Sequence, residues 1–182
     1  LYYLREGIEQ GRLPQQLRVY LDSPMAVSAT QIFRHHRECF DEETWAVVSA
    51  GRDPFDLPGL EIVRDTSESM ALKQVRGAVI IAGSGMCTGG RIRHHLRHNL
   101  WRREASIVFV GYAAGGTLAR QIIEGADVVR VLQEEVEVNA EIYTIGGFSS
   151  HADQRELLAW HARTGHPERT FLVHGEAEAM QA

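Results

Sequence analysis

Apolar positions along the chain follow two different rhythms. Up to about residue 125, short apolar runs alternate with amphipathic stretches. Leu17-Arg18-Val19-Tyr20-Leu21, residues 60–64, Ala78-Val79-Ile80-Ile81-Ala82 and Ile107-Val108-Phe109-Val110 read as strands. The last two are apolar throughout, the pattern of strands buried on both faces of a parallel sheet. Helices are predicted over 1–11, 25–39, 41–50, 66–75, 91–101 and 117–124, where apolar residues recur at helical spacing. Asp22-Ser23-Pro24 supplies a turn and an N-cap, Thr66 and Ser67 cap the fourth helix, and the Pro and Gly of 51–59 mark a loop. This alternation predicts an α/β layer, a mostly parallel sheet flanked by helices.

The rhythm changes after Gly125-Ala126. Residues 128–131 and 136–144 alternate apolar and charged side chains, as antiparallel strands solvated on one face do. A helix over 153–163 and a strand over 170–173 follow. A domain boundary is therefore expected near residue 125, giving segments 1–125 and 126–182. The sequence shows neither internal repeats nor low-complexity segments.

Composition narrows the class. The chain has 182 residues, of which 44% are hydrophobic and 24% charged, the balance of an ordinary globular protein. Cys39 and Cys87 are too few for a disulfide framework and lack CxxC spacing, so a reducing, cytoplasmic setting is expected. No apolar run approaches the roughly 20 residues of a membrane helix, so no membrane partner is expected. Leu1-Tyr2-Tyr3-Leu4 opens inside an amphipathic pattern without an initiator Met, and residues 178–182 read as the first turns of a further helix. A fragment of a longer protein is the expectation. The net charge of −5 argues against an overall basic coat, yet Arg91 to Arg103 carries five arginines, three histidines and no acid.

The run Gly83-Ser84-Gly85-Met86-Cys87-Thr88-Gly89-Gly90 stands between an apolar strand and that cationic stretch. Glycines let backbone N–H groups approach an anion, and a helix N-terminus adds partial positive charge. Gly85 and Gly90 have the Walker A gap, but Arg91-Ile92 replaces its Lys-Ser/Thr, which excludes that nucleotide site; GxGxxG does not fit either. A phosphate cradle, most naturally for a nucleic-acid backbone, and a plain tight turn requiring φ > 0 both remain. His94, His95 and His98 read as solvated or phosphate-facing, because neighbouring arginines repel a metal cation. His151 and His174 differ: each ends an apolar segment and precedes a short polar turn.

Six stretches in order resemble the β-CASP family, RNA-processing nucleases of the metallo-β-lactamase superfamily. They are Val19-Tyr20-Leu21-Asp22-Ser23-Pro24, Ser84-Gly85-Met86-Cys87-Thr88-Gly89-Gly90-Arg91, Gly111-Tyr112, Gly116-Thr117-Leu118, Gly147-Phe148-Ser149-Ser150-His151-Ala152-Asp153 and Leu172-Val173-His174-Gly175-Glu176. The resemblance covers nearly the whole chain. It implies a β-CASP domain over 1–125 and, over 126–182, an incomplete C-terminal portion of a metallo-β-lactamase αββα domain. In the family two zinc ions are bridged by a hydroxide that attacks the scissile phosphate.

By this resemblance His174 is a zinc ligand, and His151 contacts the phosphate and protonates the leaving oxygen, a role suited to imidazole. Ser149 and Ser150 donate to phosphate oxygens. Ser84, Gly85, Met86, Thr88, Gly89, Gly90 and Arg91, with Asp22 and Ser23, line the RNA-facing side. The family's His-x-His-x-Asp-His motif, its other histidine and bridging aspartate, and the acid of its first β-CASP motif are absent, and are expected upstream of Leu1. Ala113, Ala119 and Ser150 also depart from the residues usual there. A catalytic zinc needs about three protein ligands. The fragment is therefore expected to be inactive alone and not fully loaded with zinc, while its parent is a zinc-dependent endoribonuclease, with 5′ exonuclease activity as an alternative mode. Its partners would be RNA and the missing N-terminal lactamase half, and the surface left by that half would allow a homodimer. Two other readings stand beside this one. One is a backbone-binding α/β module without metal chemistry; the other is an enzyme for a small phosphorylated ligand held at the glycine loop.

Overall fold

The computed structural model describes residues 1–148, 151–173 and 175–176. Two compact units divide the chain, Leu1–His98 and Asn99–Ala182.

The first unit is built on three parallel strands, β1 (Arg18–Leu21), β2 (Leu60–Ile62) and β3 (Ala78–Ile81), in the order β2-β1-β3. Register pairs Val19 with Leu60 and Val79, and Leu21 with Ile62 and Ile81. Because side chains alternate faces with period 2, the sheet carries two separate cores. On one face Val19 packs with Ile8 of α1 (Tyr2–Glu9) and Leu57, joined by Val79 and Ile81. On the other, Tyr20 packs with Val63 and Leu72, joined by Ala78 and Ile80. Leu72 opens the 3₁₀ turn Leu72–Gln74 that follows α4 (Thr66–Ala71). Burying each such side chain contributes about 1.5–3 kcal/mol.

Chain breaks in this unit have local causes. Gly59 lies at φ +79, and a Cβ there would stand 2.5 Å from the Leu17 carbonyl oxygen, so only glycine lets the loop approach β1. The helix predicted over 25–39 is α2 (Pro24–His35), with His36 leaving helical dihedrals before a 3₁₀ turn, Arg37–Cys39. Next comes α3 (Glu42–Ser49), capped by Asp41. The cap of α4 is Asp65, whose carboxylate accepts from the Glu68 N–H, and not Thr66 or Ser67 as the sequence suggested. The apolar run of β3 is half-buried along its length instead of fully buried. The last helix of the unit, α5 (Ile92–Asn99), runs up to the division between the two.

In the second unit β4 (Ser106–Val110) pairs parallel with β7 (Glu141–Ile145), and β5 (Val128–Val131) pairs antiparallel with β6 (Glu134–Glu137); α6 (Leu118–Ile123) and α7 (Gln154–His161) complete it. The single strand expected over 136–144 is thus two strands in different sheets. Residues 138–140 break it because their backbone turns to other partners: the Val138 N–H donates to Asp127 O, and those of Asn139 and Ala140 both donate to Leu100 O. The turn between β5 and β6 holds Leu132 and Gln133 at φ 50 and 69, the left-handed pair that a two-residue hairpin of matching twist requires.

Two further expectations are corrected. β4 is not buried on both faces: Phe109 is buried, but Val108 and Val110 are exposed, as are their register partners Tyr143 and Ile145. Residues 170–173 form no strand, and Phe171, Leu172 and Val173 are exposed. An apolar run becomes a strand only with a ladder to join, and none among the described residues pairs with it. The helix read at 178–182 lies outside the described residues.

Candidate nucleic-acid interface

In the first unit the candidate residues gather where parallel strands end. β1 runs into Asp22-Ser23-Pro24 and then α2, while its neighbour β3 runs into residues 83–91 and then α5. In open α/β sheets ligands bind in the crevice beyond the carboxyl ends of the strands. The Ser23 side chain accepts from the Ala26 N–H at 3.3 Å and Pro24 occupies the first turn, so this hydroxyl starts α2. A Cβ on Gly83 would lie 3.6 Å from Ser23 Oγ, which places the two loops side by side.

The glycine loop closes on itself. The N–H of Ile92 donates to Gly83 O at 3.3 Å, that of Cys87 to Ser84 O at 3.1 Å, and the Ser84 hydroxyl to Gly89 O at 3.5 Å. Gly90, at φ +74, passes so close to Gly83 that a Cβ would meet its carbonyl oxygen at 2.4 Å. By contrast, Gly85 and Gly89 have nothing within 4 Å on the Cβ side. Gly85, Thr88 and Gly90 are exposed, with Ser84, Met86 and Gly89 half-buried. Cys87 faces inward, and burial pushes its thiol pKa up to about 11.

Asp22 and Arg91 do not point outward as the sequence suggested. Asp22 is fully buried, and its carboxylate accepts from Ser69 Oγ and from Arg91 Nη1, each at 2.6 Å, with His95 Nε2 also at 2.6 Å. Burial would raise its pKa, but the hydrogen bonds from Ser69, His95 and Arg91 outweigh that and hold it below the ordinary carboxylate value. His95, read from sequence as solvated, is buried in this cluster. Burial, followed by Arg97, Lys73 and the neighbouring histidines, lowers the pKa of His98 and favours its neutral form. The cationic stretch is partly folded inward as well: in the second unit Arg102 is buried, held by Glu104 at 2.8 Å and Asn99 at 2.8 Å.

Ser69 and His95 were missed by sequence reasoning. One signal was present: Arg91 and His95 are four residues apart and so lie on one helix face. Nothing in the sequence marked Ser69.

In the second unit the remaining candidates follow the ends of β4 and β7. Residues 111–117 lead to α6, whose N-cap Thr117 accepts from the Arg120 N–H and donates its hydroxyl to Ala114 O. Asp153 starts α7 through a reciprocal cap, accepting from the Glu156 N–H at 2.8 Å while Glu156 accepts from the Asp153 N–H at 2.9 Å. His151 is exposed at a bend two residues before that cap, and Phe148 is exposed as well. The Glu176 carboxylate accepts from the Tyr112 hydroxyl and, at 3.1 Å, from the Gly115 N–H. Ser149, Ser150 and His174 lie outside the described residues.

Among the described residues no group of three or more His, Cys, Asp or Glu is placed to hold an ion, where a zinc site needs about three protein ligands. Nor, among the described residues, is any helix long and apolar enough to cross a membrane.

Comparison with known proteins adds two matches. The family model described as the Beta-Casp domain matches residues 1–122. A second, described as a Zn-dependent metallo-hydrolase RNA specificity domain, matches residues 135–182. Among curated proteins, Ribonuclease TTHA0252 of Thermus thermophilus is 46% identical over 172 residues, covering 94% of this chain and 39% of the relative. Transcription termination factor FttA of Pyrococcus abyssi is 42% identical over 168 residues, covering 88% and 26%. FttA of Thermococcus kodakarensis is 35% identical over 170 residues, covering 89% and 26%. The chain therefore spans between about a quarter and two fifths of the length of these relatives.

Proposed function

The chain belongs to the Beta-Casp domain family, and on that premise we propose that it holds the backbone of RNA as part of a longer RNA phosphodiester hydrolase. The observation that carries this reading is the pairing of two loops, 22–24 and 83–91, at the carboxyl ends of adjacent parallel strands, with Gly85, Thr88 and Gly90 exposed. Exposed loop N–H groups and the Thr88 hydroxyl suit phosphate oxygens, and RNA offers phosphates at regular spacing. The names of the relatives, a ribonuclease and a termination factor, support RNA as the polymer.

Residues 1–125 serve in this reading as the β-CASP domain and 126–182 as part of the metallo-β-lactamase domain. The intact protein cleaves RNA internally, in the cytoplasm, with zinc at its centre. Zinc is supported by the description of the second family model, not by a ligand set among the described residues. His174 is its candidate ligand in this chain. His151 is exposed ahead of a capped helix, which supports giving it the role of proton donor to the leaving oxygen. The chain on its own binds RNA without cleaving it, and its missing lactamase half is its first partner; a homodimer through the exposed β4–β7 face is the alternative assembly.

Competition between ligands tests the polymer reading. A labelled single-stranded RNA should be displaced by unlabelled RNA but not by millimolar AMP. Displacement by AMP at concentrations comparable to RNA would favour a site for a small phosphorylated ligand.

A further inference from the structure

An arginine that closes a glycine loop at a phosphate site is naturally read as a phosphate ligand. Arg91 has its guanidinium committed elsewhere. Nη1 donates to Asp22 Oδ1 at 2.6 Å and to Val63 O at 3.3 Å, and Nη2 donates to Arg64 O at 3.3 Å. Its side chain is only 20% exposed, and the carboxylate it meets is fully buried. The carboxylate's second oxygen is taken by Ser69 of α4 and His95 of α5. One arginine thus ties the start of α5 to the chain leaving β1 and to the chain leaving β2.

We infer that Arg91 is a positioning residue, which sets the shape of the 83–90 loop from within, and that it makes no contact with the RNA backbone. Phosphate recognition then falls to the N–H groups of the loop and the Thr88 hydroxyl. The anchor is also matched to its task. A guanidinium can meet a carboxylate and two carbonyls at once, whereas a Lys ammonium offers a compact point charge without the planar fork. The buried carboxylate in turn needs its donors, because a charge out of water without them is costly. This inference rests on the reading that the loop grips RNA.

The chain carries a reporter for it. Cys87 is buried in the middle of the loop, while Cys39 is exposed and serves as an internal standard. In the native chain iodoacetamide should label Cys39 rapidly and Cys87 slowly, as read by peptide mass spectrometry. In Arg91→Gln the Cys87 rate relative to Cys39 should rise at least about tenfold well below the melting temperature, the gain in opening that a lost buried partner implies. Affinity for single-stranded RNA should fall while the slope of log Kobs against log salt stays as in the native chain. A phosphate-contacting arginine would instead reduce that slope by about 0.7.

Where Arg91→Gln fails to fold, the double variant Asp22→Asn/Arg91→Gln removes both charges together and leaves no orphan; it should expose Cys87 in the same way. Unchanged protection of Cys87, or a slope reduced by one contact, would overturn the inference. A native chain that binds no RNA would sink the functional reading alone, and the Cys87 rates would still decide the role of Arg91.

Discussion

Tyr112 donates its hydroxyl hydrogen to the Glu176 carboxylate, which joins the loop after β4 to a residue two places beyond His174. The Gly115 N–H donates to the same oxygen. Glu176 is held below the ordinary carboxylate pKa by the Tyr112 hydroxyl first and the Gly115 amide second, while Tyr112 is raised by the same contact. These groups are exposed, so the pair acts as a local anchor and adds little to global stability.

Glu176→Ala should therefore speed hydrogen exchange of the Gly115 amide several-fold without moving the melting temperature by more than about a degree, as exposed substitutions usually do. An unchanged exchange rate would mean that this carboxylate does not hold the loop.

Asp22 makes stability depend on acid. Its folded pKa lies below the unfolded value, so its contribution is complete above the ordinary carboxylate range near 4 and is lost as pH falls through the lower folded value. The native chain should lose urea resistance as pH falls below about 4, and Asp22→Asn should flatten that limb while costing about 3–5 kcal/mol near neutrality. An Asn variant with the native acid limb would place the titration elsewhere.

Glycines in the 83–90 loop fall into two kinds. Gly90→Ala puts a Cβ against the Gly83 carbonyl at a left-handed φ, so it should damage both the fold of the loop and RNA binding. Gly85→Ala meets nothing within 4 Å and should change stability by no more than about 0.5 kcal/mol. It should nevertheless weaken RNA binding, because a methyl group would stand where a phosphate approaches the backbone. Denaturant midpoints and RNA titrations on the two variants separate these effects.

The β5–β6 hairpin turns through Leu132 and Gln133, both left-handed, although neither is the Asn or Gly that such turns favour. Gln133→Gly relieves a conformation that costs an L-residue about 1–2 kcal/mol and should stabilise the chain by up to about 1 kcal/mol, after the extra freedom of glycine in the unfolded state is offset. A destabilised variant in thermal melts would mean that the Gln133 side chain contributes more than its backbone costs.

Sequence legibility follows the same physical divisions. β1 and β3 were readable because a three-stranded parallel layer with both faces packed requires apolar residues at successive positions. The two arms of the β5–β6 hairpin were legible as separate alternating strands although Leu132-Gln133 carries no turn signal, whereas the break at 138–140 was hidden and the chain was read straight through it. The alternation of β7 was read correctly as half-exposed but assigned to antiparallel pairing. An alternating strand suits any sheet with one open face, and β7 lies parallel to β4 with Tyr143 and Ile145 outward.

At the site, the resemblance put both loops of the first unit on the RNA-facing side, and their contact through Ser23 and Gly83 came only from the structure. The inward turn of Asp22 and Arg91 was not legible, because a polar residue at a strand end reads as solvent-facing until Ser69 and His95, brought in by α4 and α5, supply the donors that permit burial.

The central claim is that the glycine loop grips the backbone of an RNA strand, and salt dependence tests it most directly. Binding of a single-stranded RNA should weaken linearly on a logarithmic salt scale, with a slope of about −0.7 for each phosphate that an arginine or lysine neutralises. The loop's N–H and hydroxyl donors carry no charge, so Gly85→Ala should lower affinity at every salt concentration and leave that slope unchanged. The slope should be the same for RNAs of unrelated sequence. Native affinity in Gly85→Ala, or binding of one sequence alone, would contradict the account.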